Sequence, residues 1–150
     1  MTEIRFYHLT RKTLEQALPE LLEKTLERGW RAVIMAGSAE RVEDLVQHLW
    51  VYRENSFLPH GNAKDGFAEE QPLWLTPADE RPNKADILFL TDGAESLRLA
   101  EYTRVCEVFD GNDETAVANA RARWGAYKEA GHDLSYWLQG DKGWTNQTPA

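Results

Sequence analysis

Near the C-terminus, Arg121, Trp124 and Lys128 stand at i, i+3 and i+7, a spacing that gathers side chains on one side of an α-helix. Two cations flanking an indole can hold an anionic, partly apolar ligand, such as the end of an acidic peptide, through charge-assisted hydrogen bonds and an aromatic wall. The same stretch carries a second periodicity, Val117, Ala120, Trp124, Tyr127 and Gly131, which is that of a helix face packed into a core. Both readings are open on spacing alone. The basic stripe gains weight from its background, because the 150-residue chain has a formal net charge of −8.

A second set of residues with chemical potential is acidic. Asp92, Asp110 and Asp113 follow strand-like segments, and in an open α/β sheet such loops meet at one edge, where carboxylates can hold Mg²⁺ for phosphoryl chemistry. The alternative to a binding protein is therefore a Mg-dependent phosphohydrolase or nucleotide-binding enzyme. The same aspartates also suit simpler roles, since Asp-Gly is a turn dipeptide and an Asp ahead of a helix is a cap. No lysine or threonine of a recognisable phosphatase pattern accompanies them.

Other catalytic arrangements are missing. The four histidines, His8, His48, His60 and His132, lack the spacing of helical metal ligands. Cys106 is the single cysteine, which excludes an internal disulfide and a cysteine-built zinc site; its apolar neighbours mark it as a small buried hydrophobe. The first loop, His8 to Lys12, contains no glycine, so it holds neither a dinucleotide fingerprint nor a phosphate cradle. There is no Gly-x-Ser-x-Gly elbow. No cofactor is expected.

The elements that must position these residues follow from periodicity. Ile4–Leu9 reads as a strand rich in β-formers. Thr13 caps a helix with apolar residues at helical spacing that closes at Gly29. Arg31–Gly37 is a short apolar run, as for a strand buried on both faces, and Ser38 caps the next helix. Residues 53–71 read as a long loop. Pro72–Thr76 and Asp86–Leu90 read as strands around a turn-rich segment. Ser96–Tyr102 reads as a short helix, Arg104–Phe109 as the last strand, and Asp113–Gly131 as a long helix with an acidic start and a glycine stop. Leu134, Tyr136 and Trp137 are expected to dock on the sheet, and 142–150 to fray apart from a pinned Trp144. The β-α-β-α order with tight connections predicts an α/β fold whose sheet is mainly parallel and flanked by helices. A single domain over 1–140 with a polar tail over 141–150 is expected.

Composition narrows the setting. Hydrophobic residues make up 42% and charged residues 28% of the chain, ordinary for a globular domain. No apolar run approaches the roughly 20 residues needed to span a bilayer, so no membrane role is expected. A lone cysteine and no signal-peptide profile suit the cytoplasm. The acidic balance argues against broad binding to a phosphate backbone, so DNA is expected as an indirect partner only.

Beyond the opening stripe, Trp50, Tyr52 and Phe57 lie where a helix end runs into a Pro-containing loop, a composition common at interfaces. The residues Arg5-Phe6-Tyr7-His8-Leu9, Leu49-Trp50 followed by Ser56-Phe57-Leu58-Pro59-His60, the Ala85-Asp86-Ile87-Leu88 segment, and Ala120-Arg121 through Arg123-Trp124, Tyr127-Lys128 and Gly131 occur in that order. In these the chain resembles the chi subunit of bacterial DNA polymerase III, over about Ile4 to Leu134. The resemblance implies a Rossmann-like three-layer fold without a nucleotide and a non-catalytic accessory subunit. It also implies binding to the acidic, apolar-ended C-terminal tail of single-stranded DNA-binding protein, with a link to the clamp loader through the psi subunit or an equivalent clamp-loader or helicase partner. By position, Arg121 would meet the tail's carboxylates, Trp124 would be its apolar wall, and Lys128 would add charge. The psi-facing surface would use Trp50 and Phe57. Members often carry a second basic residue directly after that aromatic; here it is Gly125, for which Arg123 or Lys128 would substitute.

Overall fold

Short, largely apolar strands need cover on both faces, and three of the strands here are of that kind. β2 (Ala32–Met35), β4 (Leu73–Thr76) and β5 (Ile87–Leu90) are buried at every position. The computed structural model describes residues 2–51, 60–141 and 143–149, with only the backbone of Trp50 included. The remaining elements are β1 (Glu3–Leu9), α1 (Leu14–Glu27), α2 (Ala39–Val51), β3 (His60–Gly61), β6 (Arg104–Asp110), α3 (Glu114–Glu129), β7 (Asp133–Gly140) and β8 (Gly143–Asn146).

The strands form one sheet in the order β3-β4-β2-β5-β6-β1-β7-β8. All pairings are parallel except β7 with β8, which is antiparallel. The chain moves from β1 toward one edge through α1 and α2, then passes back over β1 from β6 to β7 through α3. Reversing direction at β1 places α1 and α2 on one face and α3 on the other. This is the expected three-layer, Rossmann-like α/β architecture.

Strand alternation divides the core between the two faces. On the α1–α2 face, Tyr7, Leu9, Ile34, Phe89, Cys106 and Val108 pack with Leu18, Leu22, Leu45 and Leu49. On the α3 face, Ile4, Phe6, Val33, Met35, Leu88, Leu90 and Val105 pack with Ala120. Burial pushes the Cys106 thiol up to about 12, which keeps it protonated and matches its reading as a small hydrophobe.

The helix signals anticipated from sequence are realised. Thr13 and Gln16 form a reciprocal capping box at α1, Ser38 Oγ accepts from Arg41 N at 3.1 Å, and Asp113 accepts from Thr115 N at 3.0 Å. Gly29 and Gly131 take the left-handed conformation with φ of 77° and 85°, where a side chain would be strained.

Three expectations are corrected. Ser96–Tyr102 makes a single 3₁₀ turn at Leu99–Glu101. Asp79, from the preceding loop, captures Ser96 Oγ at 2.6 Å and Leu97 N at 2.8 Å, and Ser96 Oγ accepts from Arg98 N at 3.0 Å, so side-chain bonds displace the helical ones. β6 is not the last strand, because residues 133–140 join the sheet as β7 with Tyr136 beside Phe6 and Trp137 beside Tyr7. Residues 143–146, expected to fray, pair as β8, with the Trp144 ring 4.8 Å from that of Tyr7.

Candidate functional site

Helix α3 buries little of itself. Ala120 alone among its residues is fully covered, so the helix lies across the sheet as a thin lid with most of its side chains half or wholly exposed. Trp124 joins both periodicities noted in the sequence. Its ring meets Phe6 edge-on at 5.2 Å and Tyr136 at 6.1 Å, yet it stays partly exposed. It is at once a core residue and a wall.

What it walls is a cavity of about 350 Å³ between α3 and the β1–β7 strands. Val117, Phe109, Trp124, Tyr136 and Pro149 supply apolar surface, His8 lies between the rings, and Arg121 borders the cavity. The aromatic side chains lock one another by edge-on contacts, which presets the shape before any ligand arrives. Tyr136 hydrogen-bonds His8 Nδ1. Burial raises the Tyr136 phenol above its ordinary value, and the nearby positive charge of Arg121 opposes that rise. Arg121 itself is exposed and makes no hydrogen bond or ion pair among the described residues. An exposed, uncommitted guanidinium beside a preformed apolar hole is suited to a carboxylate attached to an apolar side chain.

The other cations of this helix sit elsewhere. Lys128 is exposed one turn beyond Trp124 and does not line the cavity. Arg123 points to the opposite side of α3, where its Nη1 donates to Glu107 Oε2 at 2.8 Å and to the Ala94 carbonyl at 3.0 Å. Its Nη2 donates to the Gly93 carbonyl. Tyr127 donates to the other oxygen of Glu107 at 2.8 Å. Burial pushes the Glu107 carboxyl up, and Arg123 and Tyr127 counter it. Arg123 is therefore occupied in holding α3 to β6, whereas Arg121 is available. Gly125 has open space around the position a Cβ would take.

Asp92, Asp110 and Asp113 do share a crevice of about 510 Å³, at the carboxyl edge of the sheet where the chain reverses about β1. Each carboxylate has work of its own there. Asp92 receives Arg41 Nε at 3.0 Å and Gly37 N at 3.3 Å, Asp110 receives Asn112 N at 2.9 Å, and Asp113 caps α3. Arg41, also paired with Glu15, bridges the crevice. Among the described residues no three His, Cys, Asp or Glu side chains are grouped to hold a metal ion. The turn and cap roles of these aspartates are the ones the geometry carries.

The aromatic surface at Trp50 and Phe57 is beyond the described residues, apart from the Trp50 backbone in α2. His8, Phe109, Tyr136, Gln147 and Pro149 are cavity residues that sequence reasoning did not single out. His8 carried a partial signal, since it lies between the core residues Tyr7 and Leu9 on β1, but nothing local brings it to Tyr136. Gln147 and Pro149 carried none. They reach the cavity because Gln147 N donates to the Tyr136 carbonyl at 2.7 Å and Tyr136 N to Thr148 Oγ1 at 2.9 Å.

Among the described residues, no helix is long and apolar enough to cross a membrane. Comparison with known proteins bears on the whole arrangement. A probable DNA polymerase III subunit chi from Rickettsia prowazekii (strain Madrid E) is 31% identical over 108 residues, covering 70% of this chain. The matched part spans 66% of that relative's length. The family model described as DNA polymerase III chi subunit, HolC, matches residues 1–135, which include every strand through β6, all of α3 and the start of β7. The chain belongs to the DNA polymerase III chi subunit family.

Proposed function

We propose that this chain is a non-catalytic accessory subunit that binds the acidic C-terminal tail of single-stranded DNA-binding protein and links it to the clamp loader. The observation that carries the reading is the α3 cavity, with an apolar aromatic interior and, at its border, the exposed Arg121 guanidinium, which makes no ion pair among the described residues. The apolar end of the tail enters the cavity against Trp124 and Tyr136, and its carboxylates meet Arg121. Lys128 adds longer-range attraction. The link to psi or an equivalent clamp-loader or helicase partner runs through Trp50 and Phe57. Tethering is the mechanism: a weak contact to one tail becomes strong when coated single-stranded DNA offers many tails, through effective concentration.

The test is a titration with a fluorescent peptide of that acidic tail. Arg121→Ala should weaken binding by about tenfold, as for loss of a hydrogen bond to a charged group, and Trp124→Ala by more. Rising salt should weaken the wild type more than Arg121→Ala. Unchanged affinity in both variants would remove the site, and an absence of binding by the wild type would remove the function.

A further inference from the structure

On the opposite face of the same strands lies a second cavity, of about 380 Å³, beneath the C-terminal end of α1. Its lining is unlike the rest of the molecule. Arg5, Lys24, Arg28 and Arg104 contribute four cations, Trp30, Trp137 and Trp144 contribute three indoles, and among the described residues no carboxylate lines it. Arg28 and Arg104 lie over the Trp30 ring at 4.3 and 5.0 Å, and Arg5 lies over Trp137 at 5.1 Å. Glu3 neutralises part of this charge, accepting from both Arg5 and Arg104. Lys24 and Arg28 make no ion pair among the described residues.

Lys24 and Arg28 have a simple role, because cations at a helix C-terminus offset its dipole. That role does not explain Arg5 and Arg104, which come from β1 and β6 and are held 24% and 11% exposed against tryptophans. Nor does it explain three indoles around one opening. In a chain of net charge −8, this concentration of guanidinium and indole is the chemistry of a stacking platform beside a phosphate track.

We infer that this cavity binds a segment of single-stranded nucleic acid, with a base against the indoles of Trp137 and Trp144 and adjacent phosphates on Arg5, Arg28, Arg104 and Lys24. An acidic peptide without apolar side chains would use the cations and leave the three indoles idle. A single mononucleotide would use few of the cations, which are spread over α1, β1 and β6. The acidic remainder of the surface keeps the contact local and salt-sensitive, so it makes no broad grip on duplex DNA. The inference does not rest on the tail site, because it is tested with bare oligonucleotide in the absence of any tail-bearing protein.

The experiment is fluorescence anisotropy of a labelled oligothymidine of about eight nucleotides at low salt, with intrinsic tryptophan quenching as a second readout. Wild type should bind and its tryptophans should be quenched. The exposed double variant Lys24→Ala/Arg28→Ala should bind about tenfold more weakly, and its salt slope should fall by about 0.7 for each cation removed. Trp144→Phe should retain binding and Trp144→Ala should lose it, with thermal melts confirming that each variant is folded. Four results would each overturn the inference: no binding by wild type at low salt, unchanged affinity in the double variant, equal binding of polyglutamate of matched charge, or equal binding of a mononucleotide.

Discussion

Strands β1 and β7 wall two cavities, one on each face, and the two differ in how their charge is deployed. The α3 cavity is an apolar aromatic hole with one guanidinium at its border. The α1 cavity is more polar and gathers four cations around three indoles. The period-2 alternation of a strand produces this difference directly. Phe6, His8 and Tyr136 turn one way, Arg5, Tyr7 and Trp137 the other, and the pairing of Phe6 with Tyr136 and Tyr7 with Trp137 keeps the sets separate. One pair of neighbouring strands thus presents a face suited to an apolar end and a face suited to stacked bases.

The sharpest way to break that contrast is to ask which cations belong to the α3 cavity. Arg123 is held against Glu107 with side chains only 13% and 7% exposed. Arg123→Ala leaves a buried carboxylate with Tyr127 as its remaining side-chain partner, and should cost about 3 kcal/mol of stability, read from urea denaturation. Tail binding by the folded fraction should not change. Arg121→Ala should do the reverse, leaving stability intact and weakening the tail. If Arg123→Ala abolished tail binding while keeping full stability, the α3 cavity would have more than one working cation and the comparison would fail.

The sequence reached the fold further than it reached the site, for physical reasons. Caps and stops are local, so Thr13, Ser38, Asp113, Gly29 and Gly131 were readable from their own neighbours. The buried strands were readable because an apolar run bounded by turn residues has few other uses. β7 was missed because its partner β1 lies far away in sequence, and β8 because it pairs only with β7. Leu134, Tyr136 and Trp137 read as isolated apolar residues until β1 supplies a ladder for them, and residues 143–146 have no apolar alternation at all. The same distance hid half of the α3 cavity. Arg121 and Trp124 were visible from helical spacing, whereas His8, Tyr136 and Pro149 come together through pairings that no local pattern specifies. Arg123 showed the converse limit, since its type suggested a ligand and only its neighbours reveal its bond to Glu107.

Gly125 offers a gain instead of a loss. It follows Trp124, lies four residues after Arg121, and has nothing within 4 Å of where a Cβ would be. A glycine inside a helix is disfavoured, so Gly125→Lys should stabilise the protein by about 0.7 kcal/mol through a higher thermal midpoint. It should also place a second cation beside Arg121 and tighten tail-peptide binding several-fold, an effect that added salt removes. Oligonucleotide binding on the other face should be unchanged, which makes this variant a clean separation of the two cavities. A Gly125→Lys protein with greater stability and unaltered tail affinity would show that charge at that position does not reach the ligand.

The smallest expected effect comes from His8, which faces Tyr136, Phe109 and the Asp110 carboxylate, with Arg121 on the same cavity. Burial lowers its affinity for a proton below the usual imidazole range, and Asp110 only partly opposes this. A histidine whose folded value is depressed contributes stability that is present above its unfolded value of about 6.5 and is lost as pH falls through the folded value. Wild type should therefore lose slightly more stability than His8→Gln between about pH 6.5 and the acid limb, measured as the difference between their denaturation midpoints. Bound tail should reduce that difference, because peptide carboxylates beside Arg121 would favour the charged imidazole and bring its folded value back toward the unfolded one. The α1 cavity contains no histidine, so oligonucleotide binding should show no matching step over this window. A step of equal size on both faces would mean that acid acts through the sheet they share, and that the two cavities are not independent.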